Sequence, residues 1–196
     1  LHYVQTHDKA EKQRSDLQQL IKQLHAQKTE NYVRLLNDNA IPLRPGIERL
    51  LGEARAQGIR LAIATTTTPD NVTALLQNAL GAESLDWFEV IGAGDIVPHK
   101  KPAADIYFYV LQQMHLDAAD CVAFEDSYNG ILATRDAELK TIITYNGYTA
   151  EDDFSGASLV LDQIGDPGNP SKLLQQSYQQ DYLTVELIQQ IVHSDL

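Results

Sequence analysis

Between Ile59 and Tyr145 short apolar runs alternate with amphipathic stretches of helix length, and few folds accept that alternation. Ile59–Ala64 reads as a short buried strand, after which Thr68-Pro69-Asp70 opens a helix through Leu75, Leu76 and Leu80. Phe88–Ile91 reads as a strand, residues 102–115 as a helix and Cys121–Phe124 as a strand. Asn129–Ala137 then reads as a helix and Leu139–Tyr145 as a further strand. Strands separated by helices of this length need crossover connections, so the expected class is α/β with a parallel sheet. Leu159–Leu161 adds a short edge strand and Leu183–Val192 a closing helix.

The front of the chain is different. Up to about residue 40 it reads as helical, with no convincing strand. Leu17, Leu20, Ile21 and Leu24 form one apolar stripe, and Tyr32, Val33, Leu35 and Leu36 form a second. The segment Ile41-Pro42-Leu43-Arg44-Pro45-Gly46 breaks this pattern as a connector. Pro45 suits the first position of a helix that runs through Ile47, Leu50, Leu51 and Ala54 to Gly58. The expected division is a helical module over 1–42 and an α/β core over 43–196.

Composition narrows the partners. With 196 residues and 43% apolar content the chain can bury a real core. The formal charge is −12, with no basic run long enough to track a phosphate backbone, which argues against nucleic acid. No apolar run reaches transmembrane length and no signal-peptide pattern is visible, so no membrane partner is expected. The single cysteine, Cys121, lies in a strand, which excludes a disulfide scaffold and fits a reducing cytoplasm. An acidic protein that handles an anionic substrate needs local positive charge to reverse the field at its site.

Three strand ends carry candidate chemistry. The run Cys121-Val122-Ala123-Phe124 ends in Glu125 and Asp126, before a small-residue turn into a helix. Two adjacent acids at a strand's carboxyl end repel one another unless a cation sits beside them. Mg²⁺ meets that need, as it takes one or two carboxylates and works beside phosphates; acids that complement a helix dipole are the alternative. At Thr65-Thr66-Thr67-Thr68-Pro69, hydroxyls and backbone N–H groups meet a helix N-terminus, a favourable place for an anion. Helix capping by Thr68 explains that residue but leaves Thr65 unexplained. Lys101, placed before Pro102, could carry an ammonium into the strand ends and neutralise phosphate oxygens, or it could be a solvated surface lysine, as Lys100 is expected to be.

The order of these parts is more specific than any one of them. A threonine, a lysine and an acidic pair, each at or after a separate strand, resemble the later motifs of the haloacid dehalogenase (HAD) superfamily, here in the forms HKKPAADIY and FEDSYNGI. The segments KTENYVRLL, IPLRPGIERLL, GIRLAIATTTTPDNVTALL and EDDFSGASLVLDQIGDP are similar to the β-phosphoglucomutase-like branch, and within it to CbbY-type sugar-phosphate phosphatases. The resemblance runs from about residue 25 to about residue 165. It implies a Rossmann-like parallel sheet with an N-terminal helical cap that closes over substrate. It also implies that Thr65 hydrogen-bonds the transferring phosphoryl group and that Lys101 bridges this group and the nucleophile. Glu125 and Asp126 would hold Mg²⁺ directly or through water. Substrate contacts would come from Thr66 and Thr67 in the loop, from Lys28 in the cap and, in the hinge, from Arg44, for which a solvated linker charge is the alternative. Thr68 stands where the branch often has a basic residue.

The family's nucleophile is an aspartate at the end of the first strand, with a second aspartate two positions later as general acid and base. No two aspartates of this chain lie two apart, and Asp8 and Asp16 fall on helical, polar sequence. The chain starts at Leu1 and its single methionine is Met114. The expectation is therefore that a first strand with the nucleophile, and the opening cap helices, precede Leu1. By itself the 196-residue chain is expected to be inactive and poorly stable. The implied activity of the whole protein is Mg²⁺-dependent hydrolysis of a small sugar phosphate through an aspartyl-phosphate, by a monomer. A phosphomutase is the alternative of the same class, and a catalytically inactive binding module the alternative of another class. A nucleotide-cofactor oxidoreductase on a doubly wound sheet is not expected, because no Gly-x-Gly-x-x-Gly follows a strand.

Overall fold

Ile142 and Ile143 are fully buried at the centre of a parallel sheet, as expected for a strand covered on both faces. The computed structural model describes residues 17–37 and 41–193. The chain divides into two units, Leu1–Pro42 and Leu43–Leu196. In the first, the two apolar stripes belong to one continuous helix, α1 (Leu17–Asn37). Asp8 and Asp16 lie outside the described residues.

The second unit alternates helix and strand. In chain order it contains α2 (Ile47–Ala56), β1 (Ala62–Ala64), α3 (Pro69–Leu80), β2 (Val90–Gly92), α4 (Asp105–Met114), β3 (Val122–Glu125), α5 (Tyr128–Asp136), β4 (Lys140–Thr144), β5 (Leu159–Leu161), α6 (Lys172–Tyr178) and α7 (Val185–His193). All strand pairs are parallel. One sheet pairs β1 with β2, and the other has the order β3-β4-β5. On β4–β5, Leu50 and Ala54 of α2 and Ile188 and Ile191 of α7 build one apolar cluster. A second cluster joins Ile106 and Tyr107 of α4 to Ala123 of β3 and Ala133 of α5. Val72 and Leu76 of α3 cover β1–β2. The result is a Rossmann-like α/β fold. Among the described residues no helix is long and apolar enough to cross a membrane.

No strand among the described residues pairs with the second edge of β1 or with the second edge of β3. A cavity of about 660 Å³ lies there, lined by Ala62 and Ala64 of β1 and by Val122, Ala123 and Phe124 of β3. These two edges flank a slot in which no strand among the described residues lies.

Several boundaries differ from the sequence expectation, for non-local reasons. β1 is limited to three residues because its partner β2 offers only three. Helix α2 begins at Ile47 instead of Pro45: Gly46 adopts φ +88°, and its N–H donates to Asp166 Oδ2 at 2.7 Å. Arg49 reinforces the same junction, donating to Asp166 Oδ1 at 3.1 Å and to the carbonyls of Gly165 and Leu183 at 2.9 Å. Helix α6 was not expected from the sequence. Ser171 caps it, and Asp162 accepts from the Ser171 hydroxyl at 2.7 Å. Arg60 and Glu89 tie the entry to β1 to the entry to β2 in an exposed ion pair.

Candidate active site

Each strand end of the sequence argument opens on the carboxyl side of a parallel sheet, where α/β folds bind ligands. After β1, Thr68 adopts an extended conformation and its hydroxyl accepts the Asn71 N–H at 3.4 Å, with Pro69 in the first helical position. Thr65 is half-buried, and its Oγ1 accepts the Thr67 N–H at 3.2 Å, which leaves the hydroxyl proton available to a ligand. Asn71 Nδ2 donates to Thr67 Oγ1 at 3.2 Å, and both Thr66 and Thr67 are exposed.

Lys101 reaches both sheets. Its side chain is 15% exposed, and its Nζ donates to the Ala64 carbonyl at 2.9 Å and to Glu125 Oε1 at 2.5 Å. The ammonium also lies 4.9 Å from the centroid of the Tyr107 ring. It therefore sits between the residue before Thr65 and the residue before Asp126. The loop that carries it is braced by His99, whose N–H and Nδ1 both contact Asp105 Oδ2, at 3.2 and 2.9 Å. That hydrogen bond holds the Asp105 carboxyl below the usual carboxylate range. Lys100 points elsewhere, paired at 2.7 Å with the exposed Asp95.

The acidic pair splits in environment. Glu125 is 7% exposed in its side chain, and Oε1 accepts from Lys101 and from the Tyr107 hydroxyl. Burial, then the Glu125 charge, pushes the Tyr107 phenol far above its ordinary value, so it remains a donor. Asp126 is exposed, and the Asn146 side-chain amide donates to its Oδ2 at 3.3 Å. Helix α5 starts directly after the pair, capped by Ser127, which accepts the Gly130 N–H at 3.3 Å. Gly130 makes room for Glu125: a Cβ there would stand 2.2 Å from Oε2 and 2.4 Å from Cδ. An alanine in place of a helical glycine ordinarily stabilises by roughly 0.5–1 kcal/mol. At Gly130 the sign is expected to reverse, with Gly130→Ala costing about 1–3 kcal/mol from overpacking in urea denaturation.

Among the described residues no group of three or more His, Cys, Asp or Glu converges as a metal cage. Mg²⁺ does not require one, since it usually binds through one or two carboxylates and keeps several waters. Asp126, exposed and with no donor to its Oδ1 among the described residues, fits a direct ligand. Glu125 fits a supporting role, because its Oε1 already serves Lys101 and Tyr107.

Two sequence candidates remain, Lys28 and Arg44. Lys28 is an exposed residue of α1, in the first unit. Arg44 spends its guanidinium on backbone: Nη1 donates to the Thr144 carbonyl at 2.7 Å, and Nη2 to those of Tyr145 at 2.7 Å and Asp162 at 2.6 Å. It clamps the carboxyl ends of β4 and β5, which is neither of the roles considered from sequence. Tyr107, Asn146 and Gly130 were not singled out from the sequence. Tyr107 sits on an apolar helical face and reads as core, and only its position six residues after Lys101 hinted at the site.

The parallel α/β fold and this set of strand-end residues define a class, and comparison with known proteins agrees. The haloacid dehalogenase-like hydrolase model matches residues 2–138, and the chain belongs to that family. Within it, the chain is 44% identical over 170 residues to the plasmid protein CbbY of Cupriavidus necator, covering 87% of this chain and 67% of the relative. The crystal structure of CbbY from Rhodobacter sphaeroides in complex with phosphate superposes with a TM-score of 0.69 at 43% identity, covering 73% of this chain and 64% of that one. A CbbY mutant from the same organism, in complex with xylulose-(1,5)bisphosphate, matches with the same TM-score, identity and coverage. The chain thus spans about two thirds of the length of the relatives it matches.

Proposed function

We propose that the protein is a phosphatase that removes phosphate from a small phosphorylated sugar with the help of Mg²⁺. The observation that carries this reading is the Lys101 ammonium, held between the Ala64 carbonyl and Glu125, next in sequence to both Thr65 and Asp126. Phosphoryl transfer depends mostly on positioning and charge neutralisation, and these residues supply both. The Thr65 hydroxyl donates to a phosphoryl oxygen, and Lys101 offsets repulsion between that group and an anionic nucleophile. Mg²⁺, held by Asp126 with Glu125 behind it, supplies further neutralisation of the phosphoryl oxygens when bound. The nucleophile is an aspartate delivered on an extended segment in the slot between β1 and β3. Its carboxylate forms the new P–O bond as the P–O bond to the sugar breaks, the leaving oxygen taking a proton from a second aspartate two positions later, which then takes a proton from the water that hydrolyses the aspartyl-phosphate. In this reading Thr67 contacts the sugar phosphate from the loop after β1.

The substrate class is supported by the CbbY relative bound to xylulose-(1,5)bisphosphate. The test is a screen of sugar mono- and bisphosphates against the protein as its gene encodes it, with Mg²⁺ and with EDTA. Mg²⁺-dependent release of inorganic phosphate, with xylulose 1,5-bisphosphate among the substrates, is the expected result. An isomerised sugar phosphate without phosphate release would establish a mutase instead, and binding without turnover a non-catalytic module.

A further inference from the structure

We propose that Tyr107 is a positioning residue for the phosphoryl-transfer site, setting the geometry of Glu125 and Lys101 together; the inference rests on the reading of that site as a Mg²⁺ and phosphate centre. Tyr107 is the third residue of α4 and is 6% exposed, in the apolar cluster with Ala104, Ala123 and Ala133. A phenylalanine would fill that space without burying a hydroxyl, which is costly unless it is hydrogen-bonded. Among the described residues the hydroxyl has one partner, Glu125 Oε1. The same oxygen accepts from Lys101, whose ammonium also faces the Tyr107 ring at 4.9 Å.

One side chain therefore acts on both charged groups. Through its O–H it fixes the rotamer of a buried carboxylate and takes up part of that oxygen's hydrogen-bonding capacity. This weakens the hold of Glu125 on the ammonium and keeps Lys101 turned toward the end of β1, where the Ala64 carbonyl holds it at 2.9 Å. Through its ring it limits how far the ammonium can swing. Groups that orient ligands from behind in this way commonly change metal affinity or activity by about 10–100-fold when removed.

Tyr107→Phe keeps the ring and deletes only the hydroxyl. In the protein as its gene encodes it, the substitution is expected to raise the Mg²⁺ dissociation constant about 10-fold by calorimetric titration of the metal-free protein, and to lower kcat by a similar factor. KM for the phosphorylated sugar is expected to stay within about twofold, because the hydroxyl does not touch substrate in the ground state. On a Glu125→Gln background the further effect of Tyr107→Phe should shrink to within about twofold, as two residues acting through one contact are not additive. Unchanged Mg²⁺ affinity and kcat in Tyr107→Phe, or full additivity with Glu125→Gln, would overturn the inference. A Tyr107→Phe variant that fails to fold would overturn it too, assigning the hydroxyl to stability. If the unmodified protein itself takes up no Mg²⁺, it is the metal reading of the site that fails, a separate and visible outcome.

Discussion

Replacing Lys101 with methionine is expected to cost about 3–5 kcal/mol of folding stability, the range for breaking a buried ion pair from one side. Both side chains are largely out of water, Lys101 at 15% and Glu125 at 7% exposure, so solvent cannot stand in for the missing ammonium. Methionine fills similar volume but leaves Glu125 a buried carboxylate with the Tyr107 hydroxyl as its one remaining donor. The Ala64 carbonyl loses its ammonium partner as well. The companion variant Lys101→Met/Glu125→Gln is expected to recover most of the loss, since a neutral amide still accepts from Tyr107 and carries no stranded charge. Urea denaturation of the single and double variants measures both effects. A Lys101→Met variant within about 1 kcal/mol of the parent would mean that the pair behaves as an exposed surface bridge does.

The second large effect is expected at Gly46, far from the phosphate chemistry. A Cβ there would lie 2.3 Å from the Gly165 carbonyl oxygen and 2.7 Å from Ile164 Cγ2, on a backbone at φ +88°. The left-handed conformation costs a non-glycine residue roughly 1–2 kcal/mol. The nearer collision is with main chain, which cannot rotate away, and overpacking of this kind adds about 1–3 kcal/mol. Gly46→Ala is therefore expected to lose about 3 kcal/mol, which for a chain of this size lowers Tm by roughly 6–12 °C. Gly52, in the same helix α2, is the control: nothing lies within 4 Å of its Cβ position. Gly52→Ala should be neutral or stabilising by up to about 1 kcal/mol. Equal Tm values for the two variants would remove the argument that the α2 junction demands glycine.

These contrasts show which features were legible in the sequence. Local signals carried far: Thr68 caps α3 with Pro69 behind it, and β5 occupies Leu159–Leu161 as read. The strand ends that bear Thr65 and Glu125 were also legible, because an apolar run that stops at polar residues marks the edge of a buried sheet. What the sequence hid depends on partners distant along the chain. Gly46 turns where it does because Asp166 and Gly165 wait for it 120 residues on. Arg44 looks like a free linker charge until three carbonyls about 100 residues or more away claim its guanidinium. Tyr107 falls at a core position of α4, and helical periodicity carries no information about a hydroxyl's partner. The division of labour between Glu125 and Asp126 was equally invisible, since Glu125 is the last residue of β3 and Asp126 the first beyond it, and only the packing tells which of them is dry.

The contact of Lys101 with both Ala64 and Glu125 has a mechanical side. The sheets that carry those two residues share no ladder among the described residues, so this ammonium acts as a polar fastener across the seam. An anion that draws the ammonium toward itself must loosen that fastener, while a segment seated in the seam would relieve it of the duty. Ligand occupancy and rigidity of the joint are thereby written into a single nitrogen atom, and neither can change without being felt by the other.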